Sequence, residues 1–226
     1  MNKYICTNRN KNYQNEVEKI LVSRKQEILD FFGVKDNGQF NFNIYIYNTI
    51  DDLVNGMKNR GFDSMPDYMC ACHKDEDNSL NFFEPKDNPK ENEWSKEEYK
   101  KVIFHEEIHG IQSIIYGNQP EWLTEGVAKY LDGTYSKGIK YLLEEYVNKT
   151  DIPSMYELEN EFGMHEYDSY DYSYLMVSYL IETLGKDTFL VAIKSRETFK
   201  KLSNNLVITA VDYYNRKFID TDVKRR

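Results

Sequence analysis

Apolar and polar positions alternate most sharply over residues 40–47, where Phe40, Phe42, Ile44 and Ile46 interleave with Asn41, Asn43, Tyr45 and Tyr47. A period of two is that of a strand with one buried face. Upstream, the spacing predicts a helix over about residues 13–32. Downstream, Thr49-Ile50-Asp51-Asp52 starts another helix. Tyr68 to His73 and Leu80 to Phe83 then read as a hairpin around the polar turn Lys74-Asp75-Glu76-Asp77-Asn78.

The period changes after residue 95. Ser95-Lys96-Glu97-Glu98 is a capping box, in which hydroxyl and carboxylate satisfy each other's backbone donors at a helix start. The helix runs through Val102, Phe104, Ile108, Ile111, Ile114 and Ile115 and is expected to stop at Gly117. Pro120 opens the next one, since proline is favoured in a first helical turn. From there the pattern is helical to the end. Breaks fall at residues 35–38, 86–92 and 149–153, and they separate elements rather than domains.

Within the first of these helices stands Phe104-His105-Glu106-Glu107-Ile108-His109. Four residues apart, His105 and His109 project from one helix face, where two imidazole nitrogens can meet a single zinc at ~2.0–2.1 Å. Glu106 is placed to take a proton from a water at the metal without itself being a ligand. A catalytic zinc needs a third protein ligand, and Glu125 in Trp122-Leu123-Thr124-Glu125-Gly126 is the candidate, with Glu121 on the same helix face as the next to test.

These two blocks carry a resemblance. His105-Glu106-x-x-His109 with Trp122-Leu123-x-Glu125-Gly126-x-Ala128-x-Tyr130 resembles the gluzincin metallopeptidases, zincins whose third ligand is a glutamate, in their peptidase MA-like and minigluzincin branches. A third block, Tyr170-Asp171-Tyr172-Ser173-Tyr174-Leu175 running to Leu184-Gly185, is similar to the helix that follows in that branch. The resemblance implies an α+β zincin-like fold: a small mixed sheet and the active-site helix in an upper lobe, about residues 1–117, and a helical lower lobe, about 118–226, together one catalytic domain. It also implies one Zn2+ per chain, held by His105, His109 and Glu125, with Glu106 as general base. The oxyanion donor is Tyr170 or His165, with Tyr170 preferred for its place in the third block. Ser79, Leu80, Asn81, Phe82 and Phe83 are expected to be an edge strand that pairs with an extended peptide, the alternative being an ordinary core strand.

Three departures qualify the resemblance. Glu107 puts a charge where the stricter motif has an uncharged residue. Lys129 stands four residues after Glu125, where thermolysin-like enzymes carry an aspartate that orients a histidine ligand, so that support must be built differently. The Gly-x-Met-Glu-Asn segment that aminopeptidases of this type use to hold a free N-terminus is absent, which favours endopeptidase action. The expected activity is hydrolysis of peptides or unfolded protein segments. Two rivals are a zinc-binding, inactive peptide-binding module and a latent protease blocked by a terminal segment, such as the basic tail Lys224-Arg225-Arg226.

Composition narrows the partners. A net charge of −9 disfavours nucleic acid and anionic membrane, both of which demand a basic surface. Three cysteines in no disulfide-like spacing, a start without an apolar signal-peptide core and no apolar run of spanning length make the cytoplasm the expected compartment. Cys70-x-Cys72-His73 lacks a second Cys/His pair to complete four ligands and reads as a strand segment. The oligomeric state is not readable.

Overall fold

The computed structural model describes residues 2–6, 10–62, 70–86, 94–135, 137–164, 168–195 and 205–219. The chain divides into two compact units, Met1–Gly117 and Asn118–Arg226.

Among the described residues, the first unit is a small mixed sheet with three helices. Its strands are β1 (Lys3–Cys6), β2 (Asn43–Tyr47), β3 (Cys72–Lys74) and β4 (Ser79–Phe83), and its helices are α1 (Lys11–Phe32), α2 (Ile50–Asn59) and α3 (Lys96–Tyr116). The strand order is β1-β2-β4-β3, with β1 parallel to β2, β2 parallel to β4, and β3 antiparallel to β4. Helix α1 begins where the Asn10 side chain accepts the N–H groups of Asn12 and Tyr13, and it ends on Gly33 at φ 65°, a left-handed cap that glycine adopts without Cβ strain. Helix α3 opens on the reciprocal Ser95/Glu98 capping box and ends at Gly117.

The sheet is covered on both faces. Arg60, just past α2, lies 3.7 Å over the Tyr45 ring and donates to Asn81 and Ser79, so the odd-numbered positions of β2 and β4 face the α2 side. By the alternation of a strand, Ile44, Ile46, Leu80 and Phe82 face the other way, toward the layer of α3, which also packs against α1. All four are completely buried, as are Phe104, Ile108 and Ile111 of α3 and Val17 and Ile28 of α1. Burying each such side chain contributes on the order of 1.5–3 kcal/mol.

Double coverage corrects one expectation. Ser79–Phe83 is an interior strand, laddered to β2 on one side and β3 on the other, and all five of its residues are buried. The last residue is closed off as well: the Phe83 N–H donates to Tyr99 Oη at 3.1 Å, and the Phe83 carbonyl accepts from Tyr13 Oη at 3.0 Å. It cannot add a substrate strand. The edge on that side of the sheet is β3. Alternation over residues 40–47 also misled in extent, since only Asn43–Tyr47 ladders, and β1 was not foreseen.

The second unit is helical among the described residues. It comprises α4 (Glu121–Asp132), α5 (Gly138–Glu145), a 3-10 turn (Val147–Lys149), α6 (Met155–Asn160), α7 (Ser169–Leu184), α8 (Lys186–Lys194) and α9 (Leu206–Tyr214), which runs into a π turn at Asn215–Ile219. Helices α4 and α7 form its central packed pair, with α8 and α9 against α7. Trp122, Leu123 and Val127 of α4 and Leu175 and Met176 of α7 are fully buried. None of the described helices is long and apolar enough to cross a membrane.

Candidate metal centre

Helix α3 brings two imidazoles to one point. His105 Nε2 and His109 Nε2 lie 2.9 Å apart with their rings nearly perpendicular, at 84°. At that separation at most one of the facing nitrogens carries a proton. Two nitrogens bound at ~2.0–2.1 Å to one tetrahedral ion would stand about 3.3 Å apart, so the pair needs only a small adjustment to share a metal. His105 and His109 are half-buried, and each offers one ligand atom. Two imidazoles are part of what a catalytic zinc takes, a third protein ligand and an open position completing the set.

The next residue on α3, Glu106, is buried, and its Oε2 accepts the backbone N–H of His73 on β3 at 2.8 Å. A main-chain donor on an edge strand thus holds the carboxylate expected to act as base. Nothing in the sequence pattern had pointed to this contact, because every residue type supplies the same N–H.

Glu107 is almost wholly buried, at 1% exposure, and neither of its carboxyl oxygens has a hydrogen-bond partner. Burial pushes its pKa well above the usual carboxylate range, against weaker opposing pulls from Lys25 and Arg24. Burial thus favours the protonated form of this side chain.

Tight packing sets the position of α3. A Cβ at Gly110 would meet the Phe42 ring at 2.7 Å and the His73 ring at 3.3 Å, so the helix lies on the sheet just after the second histidine because that residue is glycine. The His73 ring is edge-on to Phe42, and its Nε2 is 3.6 Å from Asp75 Oδ1, an oxygen that also accepts from the Ser113 hydroxyl on α3. Burial pushes the imidazole pKa down to about 4, and it stands neutral at neutral pH. Tyr99, one turn into α3, donates to the Cys70 carbonyl at 2.6 Å while accepting from Phe83, tying the helix start to the segment that enters β3. On that strand Cys72 is buried with its thiol pKa pushed up to about 12 by desolvation, unlike a metal-binding thiolate.

In the second unit, Glu125 sits in the second turn of α4 and Tyr170 in the first turn of α7. Tyr170 stands edge-on to Phe162 with ring centroids 5.1 Å apart, and Lys129 Nζ lies 5.2 Å over its ring. Lys129 thus sits over an aromatic ring. Its neighbour Asp171 accepts from Tyr135 Oη, and burial pushes the Asp171 pKa up to about 6. His165 and the Lys224–Arg226 tail lie outside the described residues.

Among curated proteins, none shows significant similarity to the chain. The family model of the Peptidase MA superfamily, in contrast, matches residues 81–214, a span that takes in the paired histidines, Glu106, Glu125 and Tyr170. That match covers more than half of the 226 residues, and with it the chain belongs to the Peptidase MA superfamily.

Proposed function

We propose that this protein is a zinc-dependent endopeptidase of gluzincin type, acting on peptides or unfolded protein segments. The observation that carries the reading is the pair His105 and His109 with Nε2 atoms 2.9 Å apart, beside a Glu106 carboxylate anchored by a backbone N–H. Membership of a superfamily of peptidases supports the reaction class. His105, His109 and Glu125 are the proposed zinc ligands. When bound there, zinc supplies Lewis-acid polarisation of the scissile carbonyl and lowers the pKa of water from ~15.7 towards 7.

The chain's own groups do the rest. Glu106 takes the proton of the attacking water and delivers it to the leaving amine, so the carboxylate returns to its starting state and one water is consumed per bond cut. Tyr170 is the proposed donor to the developing oxyanion, since a phenol donates over a wide pH range without titrating near neutrality. The two units together form the proposed catalytic domain.

The test joins metal content to turnover. Purified protein is expected to carry one zinc per chain and to cleave a denatured protein mixture, with cleavage abolished by chelator and restored by zinc. Glu106→Gln is expected to keep the metal and lose turnover steeply. Zinc binding with no cleavage under any of these conditions, and no effect of Glu106→Gln on peptide binding, would identify an inactive peptide-binding module instead.

A further inference from the structure

An antiparallel ladder sorts backbone groups by direction, alternate residues bonding to the partner strand and turning away from it. In β3, Cys72 pairs with Asn81, His73 with Leu80 and Lys74 with Ser79. Because the His73 N–H goes to Glu106, His73↔Leu80 is the pair without ladder bonds. Cys72 and Lys74 then direct their groups at β4, and His73 alone among the three turns its N–H and carbonyl to the outer edge of the sheet, which no other described strand covers. Of those two groups, the donor is already committed.

A free carboxylate on a helix samples several rotamers, and fixing them costs entropy. A charge-assisted bond to an amide held on either side by a ladder removes that freedom, and unlike a side-chain donor the amide can neither titrate nor swing away. We propose that the main-chain N–H of His73 is the positioning group for Glu106, and that the outer edge of β3 consequently offers an extended peptide one acceptor, the His73 carbonyl, with no donor beside it. A peptide residue lying opposite an outward-facing edge residue ordinarily exchanges two bonds with it. Here it brings an N–H and receives none. Selection follows: a residue lacking that N–H, proline or an N-methylated residue, is refused at this place.

The inference rests on Glu106 being the base, and its first test needs no turnover. Amide hydrogen exchange at His73 is compared in the zinc-loaded wild type and in Glu106→Ala. Exchange at His73 is expected to speed up on the order of 10- to 100-fold, as loss of a hydrogen bond to a charged group implies, with the Cys72 and Lys74 amides unchanged. An unchanged His73 rate overturns the positioning contact. If turnover depends on Glu106 while His73 exchange does not, this inference alone falls; if Glu106→Gln leaves turnover intact, the reading of the enzyme falls with it.

A second measurement reads the edge. Single N-methylations along a cleaved peptide are expected to reveal one position, outside the scissile bond, at which KM rises about tenfold or more. Tolerance at every such position overturns the one-acceptor edge. His73→Pro, which removes the donor at an edge position where proline is tolerated, is expected to lower kcat at least about tenfold with zinc content retained. Full kcat in a folded, zinc-loaded His73→Pro protein also overturns the proposal, and should that variant fail to fold, the exchange and N-methylation measurements decide.

Discussion

A Cβ built on Gly126 would stand 2.4 Å from the carbonyl oxygen of Ser173 and 2.6 Å from Val177 Cγ2, so α4 rests on the main chain of α7 one residue after Glu125. Neither a carbonyl in a helix nor a fully buried valine can retreat from an added methyl without moving the helix that carries it. Gly126→Ala is expected to destabilise the protein by about 1–3 kcal/mol, lowering Tm by several degrees, and to weaken zinc retention by displacing Glu125. A wild-type Tm in that variant would show that the close approach is not enforced.

The ligand set is tested one residue at a time. His109→Ala and Glu125→Ala are each expected to lose most of the bound zinc, because removing one of three protein ligands leaves too few to hold the ion against solvent. Metal analysis after gel filtration is the measurement. Full occupancy at unchanged affinity in Glu125→Ala would remove Glu125 from the set and direct the same substitution to Glu121.

The parts of this protein that were readable in advance are those written in side-chain type and spacing. The capping box at Ser95, the stop at Gly117 and the two histidines one turn apart are local rules, and α3 obeys them. Strand order is different, because pairing is decided by partners far along the chain. Ser79–Phe83 alternates as an edge strand does, yet α2 covers the face that carries Ser79 and Asn81, and Arg60 satisfies the polar groups there. A buried polar face mimics a wet one in sequence. The anchoring of Glu106 was invisible for a simpler reason: its partner is a backbone amide. The upward shift of the Glu107 pKa was not legible either, because it comes from desolvation by burial and not from the spacing of the motif.

That desolvation has a stability consequence. Glu107 is a buried carboxyl with two unpartnered oxygens, and leaving a polar group so buried costs about 1–3 kcal/mol. Methionine has a similar length and no polar group to satisfy. Glu107→Met is expected to raise the unfolding midpoint in denaturant while zinc stays at one per chain. A lower midpoint would show that the carboxyl has a partner, such as a buried water, that the substitution strips away.

Tyr170 is judged by kinetics. Loss of one oxyanion donor typically lowers turnover by ~10²–10³, about 2.7–4 kcal/mol of transition-state stabilisation. Tyr170→Phe keeps the ring that meets Phe162 and lies under Lys129, so packing is preserved and only the hydroxyl is removed. The expected result is a kcat reduced by that order with KM and zinc content little changed. Near-normal kcat in Tyr170→Phe, with turnover lost in His165→Ala, would transfer the role to His165.

Asp171 predicts a pH dependence of stability with a definite sign. Burial raises its folded pKa to about 6, above the ordinary aspartate value, even though the Tyr135 hydroxyl donates to it. A carboxyl whose folded pKa is raised favours the native state while protonated, so its contribution is complete below the unfolded pKa of ~3.9 and is lost as pH climbs through 6. Removing the ionisable group removes that loss. Asp171→Asn keeps an oxygen to accept from Tyr135, and the difference in unfolding free energy between variant and wild type is expected to grow in the variant's favour from pH 4 to pH 7, by on the order of 1–3 kcal/mol, then level off. Denaturant titrations at closely spaced pH values measure that difference directly, free of the other carboxylates that both proteins share. A flat difference across this range would mean that Asp171 ionises at its ordinary pKa and that the Tyr135 bond offsets its burial.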